Sequence, residues 1–262
     1  MTHGGGPADD PAGELRRALA TGKANAIVSV IRHADTPLRR RQLYAMAQQA
    51  LSRRKDPDRQ FDLLIAVVQA GVRDGMQQAG LEADAAEAAR RKSFVDTISF
   101  DLAADLAECW PGDMAPRQRH HLEAGLEAAR DCVRLRDEIG APASAHSPAA
   151  WMRGAHELSL GRGREASSSF ERALDFARRA AMYAPAAVQP GGDFQVILAS
   201  GALGLTTHTD LFRDACAAFD ATAAGADAQA AARAKFGAAQ LRWFAERLAD
   251  PARPDDLRPR AQ

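Results

Sequence analysis

The chain has 262 residues, 46% of them apolar, and 34 basic side chains stand against 34 acidic ones. That length can bury a substantial core, the apolar share excludes wholesale disorder, and the charge balance lacks the basic excess expected of a nucleic-acid binder. Aromatics reach only 6% in an alanine-rich chain, which favours helices packed through small residues over a β-sandwich.

The expected class is therefore all-α. Residues 1–12 are rich in Gly, Pro and Asp and are expected to form a disordered tail, with no basic-then-apolar leader pattern. An N-terminal helical region, 13–82, follows, with helices expected at 13–20, 23–33, 37–54 and 59–79. Thr36-Pro37 places a capping side chain before a first-turn proline. In the fourth helix, Phe61, Leu64, Ile65, Val68 and Val72 recur at three- and four-residue steps, with Asp58 or Asp56 as its cap. The β-branched runs Ile27–Ile31 and Phe194–Leu198 read as buried helix rather than strand. Arg39-Arg40-Arg41 and Arg53-Arg54-Lys55 are interleaved with Asp35, Asp56, Asp58 and Asp62, the pattern of a solvated helix face.

The second region, 83–249, is more regular. A long helix carries Phe94, Ile98, Leu102, Leu106 and Cys109 or Trp110 on one side and is expected to stop at Trp110-Pro111-Gly112. Another runs from Pro116 to Gly140, a natural C-terminal stop. A linker over 141–148 ends in Ser147-Pro148 as cap and first turn. Trp151 to Leu174, WMRGAHELSLGRGREASSSFERAL, reads as two amphipathic helices joined at Gly161-Arg162-Gly163. Small residues stand where those helices touch, at Gly154, Ala166 and Ala173, and Phe170 stands where a bulky plug is needed. DFQVILASGALGL, a helix over about 210–222, a break at Gly225 and a last helix over about 227–249 complete the region. Residues 250–262 hold three prolines and are expected to be a disordered tail.

The hairpin 149–184 resembles one tetratricopeptide repeat. Aligning first helices on Ala104, Gly154 and Gly201 extends the likeness over 93–249, with spacings well above that family's period of about 34 residues. The resemblance implies antiparallel hairpins stacked as a right-handed α-solenoid with an N-terminal helical cap, acting as a binding or scaffold module. It also implies that first-helix positions line a concave groove. On this alignment those positions are Asp101, Asp105 and Glu108, then Trp151, Ala155 and Leu158, then Leu198, Ala202 and Leu205. A groove acidic at one end and apolar beyond suits a protein or peptide partner with basic and apolar residues. The family's Asn and Lys clamp for C-terminal carboxylates has no counterpart at these positions.

Chemistry-bearing motifs are missing. The seven histidines include no H-E-x-x-H or E-x-x-H pattern; His120 and His121 are expected to diverge, as are His156 and Glu157. No phosphate loop, dinucleotide fingerprint, nucleophile elbow or C-x-x-C occurs. Cys109, Cys132 and Cys216 read as buried reduced thiols, and Ser167-Ser168-Ser169 as an exposed, small-residue helix start. The expected protein is non-catalytic, without cofactor or metal, cytoplasmic, and binds neither nucleic acid nor membrane. The alternative is a helical-bundle enzyme or small-molecule-binding protein with a site built from scattered residues.

Overall fold

The computed structural model describes residues 10–53, 60–183, 192–250 and Leu257, and these residues form eleven α-helices and no strand. They are α1 (Pro11–Ala20), α2 (Ala24–Arg32), α3 (Pro37–Ser52), α4 (Phe61–Leu81), α5 (Ala85–Leu106), α6 (Arg119–Glu138), α7 (Ala143–Ser159), α8 (Gly163–Tyr183), α9 (Gly192–Thr207), α10 (Leu211–Ala223) and α11 (Ala228–Ala249). None of them is long and apolar enough to cross a membrane. The chain divides into two compact units, residues 1–98 and 99–262. The division lies inside α5.

In the first unit the Thr36 cap acts as expected, whereas α4 starts after Gln60 with no side-chain cap bond. Thr36 Oγ1 accepts the Arg39 N–H at 3.1 Å, while Asp10 accepts the Gly13 N–H at 2.9 Å and starts α1 at Pro11. Residues 11 and 12 therefore belong to a helix, not to a tail. The expected caps Asp56 and Asp58 fall outside the described residues. Ile27 and Ile31 of α2 are fully buried, and α2 packs on α1, α3 and α4. Along α4, Phe61, Leu64 and Val68 are buried together with Leu63, Val67 and Ala70, so the apolar face is broader than the stripe; Ile65 and Val72 are only half-buried. Gly71 and Gly75 let neighbours close in. A methyl at Gly71 would meet the Tyr44 ring at 3.0 Å, and one at Gly75 would meet Val95 Cγ2 at 2.6 Å. Gln48 of α3 donates to the Ile98 carbonyl at 3.0 Å, which holds α5 to the same core.

The second unit is a run of helices in which each packs on the next from α6 to α11, and alternate helices also touch, α7 with α9 and α9 with α11. The α7–α8 hairpin forms where the glycines and alanines direct it. Gly161 takes φ +74 in the turn, a left-handed conformation that glycine adopts without a Cβ penalty. Phe170, Ala166 and Ala173 are buried, and a methyl at Gly154 would lie 2.7 Å from Phe170 Cε1. Gly201 does the same for α9: its methyl would meet Leu241 Cδ1 at 2.5 Å and Ala215 Cβ at 2.9 Å.

Three expectations about this unit are corrected. First, α5 ends at Leu106, short of Trp110-Pro111-Gly112, because Trp110 folds back and its Nε1 donates to the Ala104 carbonyl at 2.5 Å. Second, α7 begins at Ala143, so Pro148 sits inside the helix and Ser147 is no cap. Buried Ser147 instead donates to the Ala173 carbonyl of α8 at 3.0 Å. Third, Leu257 is not part of a solvated tail. It is 2% exposed in a cluster with Leu122, Leu126 and Leu160.

Candidate functional site

Most positions of the groove inferred from the repeat alignment are buried. Asp101 is exposed, Asp105 half-buried, and Glu108 only 4% exposed. The i, i+4, i+7 spacing puts three acids on one face only if the helix persists to Glu108. Because α5 stops at Leu106, Glu108 turns inward, where its Oε1 lies 3.5 Å from the Arg247 guanidinium of α11. The apolar half is likewise core. Trp151 is 3% exposed, with its ring centroid 6.1 Å from that of Phe170 and 6.5 Å from that of Phe244. Ala155, Leu158, Leu198 and Ala202 are buried too. In an alanine-rich stack the helices approach closely enough for neighbours to cover these positions; Leu205 at the end of the row is half-buried.

What the fold assembles instead is a buried polar constellation around the α5–α6 connection. Arg117 is its centre. Its guanidinium makes a two-pronged pair with Asp113, at 2.9 and 2.7 Å, and donates to the carbonyls of Ala115 at 2.7 Å and Asp105 at 3.0 Å. A planar, multi-donor cation suits a connection whose carbonyls have left the helix ladder. Beside it, the Gln240 side-chain amide of α11 reaches Cys109 Sγ at 3.6 Å. On α7, His156 is 1% exposed, and its Nε2 lies 2.8 Å from the Ala103 carbonyl of α5. A carbonyl only accepts, so Nε2 carries the proton and Nδ1 does not; no hydrogen-bond partner reaches Nδ1. Gly125 of α6 makes room for this ring, since a methyl there would lie 2.2 Å from His156 Cε1. One imidazole thus ties α5, α6 and α7 together.

His156 and Glu157 diverge as the sequence implied, and both are buried. Glu157 accepts from Ser169 Oγ of α8 at 2.6 Å and from Arg153 Nε at 2.8 Å. The serine run is thereby corrected. Ser169 is a buried donor, Ser167 bonds Thr206 of α9 at 2.7 Å, and Ser168 alone is exposed. His120 and His121 also depart from expectation. Their ring centroids lie 4.1 Å apart, because His121 turns back to accept the Gln118 N–H through Nδ1 at 3.1 Å.

Electrostatics define what the constellation can do. Burial pushes the Cys109 thiol up to about 12, with the Gln240 amide opposing it. Burial pushes His156 down to about 4, with the Ala103 carbonyl opposing it; Glu108 raises it and Arg117 lowers it. At neutral pH these groups are a thiol and an uncharged imidazole. An activated cysteine needs the reverse, a lowered thiol pKa beside a base. All three cysteines are free and buried, as read from sequence.

A pH prediction follows from His156. Its unfolded value lies near 6.5 and its folded value near 4, so the unfolded chain binds the proton more tightly. The stabilisation is complete above pH 6.5, falls as pH drops through that window, and is lost below 4. The gap corresponds to about 3 kcal/mol. Urea unfolding at pH 7 and pH 4 should show a stability loss in wild type that exceeds the loss in His156→Gln by about that amount. Equal losses in both proteins would remove His156 from the account.

The chain matches no protein-family model, and no curated protein or solved structure is significantly similar to it.

Proposed function

We propose that the chain is a non-catalytic interaction or scaffold module built on tetratricopeptide-like hairpins, α7–α8 and α9–α10, stacked as a right-handed solenoid. The observation that supports this reading is the packing order of the second unit. From α6 to α11 each helix meets its successor, the first helices of the two hairpins, α7 and α9, also meet, and α9 meets α11. Successive packing of this kind is what a repeat stack requires, although α11 also reaches back to Trp151 of α7 and to Cys109 and Glu108 of the α5–α6 connection. Close-approach glycines recur in both first helices, Gly154 against Phe170 and Gly201 against Leu241 and Ala215. The inert protonation states of Cys109 and His156 favour a binding role over chemistry at the buried constellation. A protein or peptide is the partner, and the even charge balance weighs against nucleic acid. Three free thiols suit a reducing compartment, the cytoplasm.

The reading is tested on the full chain isolated from its native cells. A discrete protein should co-elute at fixed stoichiometry and re-form the complex from purified components. The chain alone should carry no stoichiometric zinc or iron. Turnover in a hydrolase or redox screen that one point mutation abolishes would overturn the assignment.

A further inference from the structure

Glu108, Trp151, Ala155, Leu158, Leu198 and Ala202, six of the positions expected to line a groove, are buried in the second unit. One apolar surface in the second unit is covered in an unusual way. Leu122 and Leu126 stand one turn apart on α6, and Leu160 follows the last turn of α7. The fourth member of their cluster is Leu257, 2% exposed and distant in sequence from the other three. It lies in the sequence PARPDDLRPRAQ, which holds prolines at 251, 254 and 259. A single leucine within proline-broken, charged sequence is the composition of a short linear ligand, not of a core helix. In sequence Arg258 and Arg260 follow the leucine, and on α6 exposed Glu127 and Glu123, the latter paired with Arg119 at 3.2 Å, each adjoin one of the two leucines.

We propose that Leu122, Leu126 and Leu160 form a leucine-binding subsite that Leu257 occupies as an internal ligand. A partner peptide of the same chemistry, one leucine followed by arginines, binds by displacing it. This rests on the reading of the chain as an interaction module and names the site and ligand class for it. Occupation from within the chain makes the site self-limiting. A tethered ligand acts at an effective concentration of order millimolar, so an external peptide with a dissociation constant of ~0.1 mM would be weakened about tenfold.

The probe is a fluorescein-labelled peptide of residues 250–262, DPARPDDLRPRAQ, titrated with full-length protein and read by anisotropy. Leu257→Asp protein should keep its helicity by circular dichroism and bind the peptide saturably. Wild type should bind it about tenfold more weakly. The same peptide carrying Leu257→Asp should bind neither protein. If the Leu257→Asp protein loses its helical signal, Leu257 is an integral core residue and the proposal fails. Failure of the peptide to bind the folded variant rejects it as well. A partner complex that assembles equally with wild type and Leu257→Asp would reject this subsite while leaving the interaction-module reading intact.

Discussion

Phe170→Ala should destabilise the protein by about 3–5 kcal/mol, the cost of emptying a fully buried phenylalanine site that its neighbours cannot refill. Phe170 is completely buried in α8; its ring lies against Gly154 of α7, and its centroid is 6.1 Å from that of Trp151. Collapse into the vacated volume is restricted because the opposing surface is a glycine backbone, which has no side chain to lean in. For a unit of this size the melting temperature should fall by roughly 10 °C. Met182→Ala on the same helix is the control, since Met182 is 77% exposed and truncation there should cost no more than about 0.5 kcal/mol. Calorimetry of the two variants decides the matter. Equal melting temperatures would mean that the α7–α8 interface does not hold the second unit together.

Gly125→Ala tests the imidazole that ties three helices. On an exposed helix the change would stabilise by about 1 kcal/mol. Here the sign should reverse. The new methyl would fall 2.2, 2.6 and 2.8 Å from three atoms of the His156 ring. That ring cannot swing away without breaking its 2.8 Å bond to the Ala103 carbonyl. Overpacking costs about 1–3 kcal/mol and a stranded buried polar group about as much again, so a loss of about 3–5 kcal/mol is expected. The partner substitution makes the cause separable. His156→Ala alone should also destabilise, but Gly125→Ala added to it should cost far less than in wild type, a coupling of at least about 2 kcal/mol in a double-mutant cycle. Additive losses would show that the two positions do not meet.

All eleven helices were visible in the sequence, including α2 and α9, whose β-branched runs invite a strand assignment. Helix periodicity, the glycine stops at Gly140 and Gly161 and the Thr36 cap act between residues at most four apart, so they operate before any tertiary contact exists; the proline signals at Pro111 and Pro148 did not mark the ends of α5 and α7. The α7–α8 interface was equally accessible, because a hairpin's two helices are adjacent in sequence and their small and bulky residues are read against one another. The candidate site was not. Asp101, Asp105 and Glu108 share a face only on a helix that continues past Leu106, and that helix is stopped at the level of tertiary structure. Trp110 Nε1 takes the Ala104 carbonyl, and Arg117 takes the Asp105 carbonyl from beyond the turn. Trp151 offered a bulky apolar side chain with nothing local to say whether solvent or protein would cover it. The Phe244 ring of α11 supplies the answer from far along the chain. Leu257 is the extreme case: its neighbours in sequence are prolines and charges, and it is buried among the leucines of α6 and the end of α7. Local periodicity is a property of the chain, whereas burial depends on which distant surface arrives; the helices were determined by the first, and every surface that could meet a partner was decided by the second.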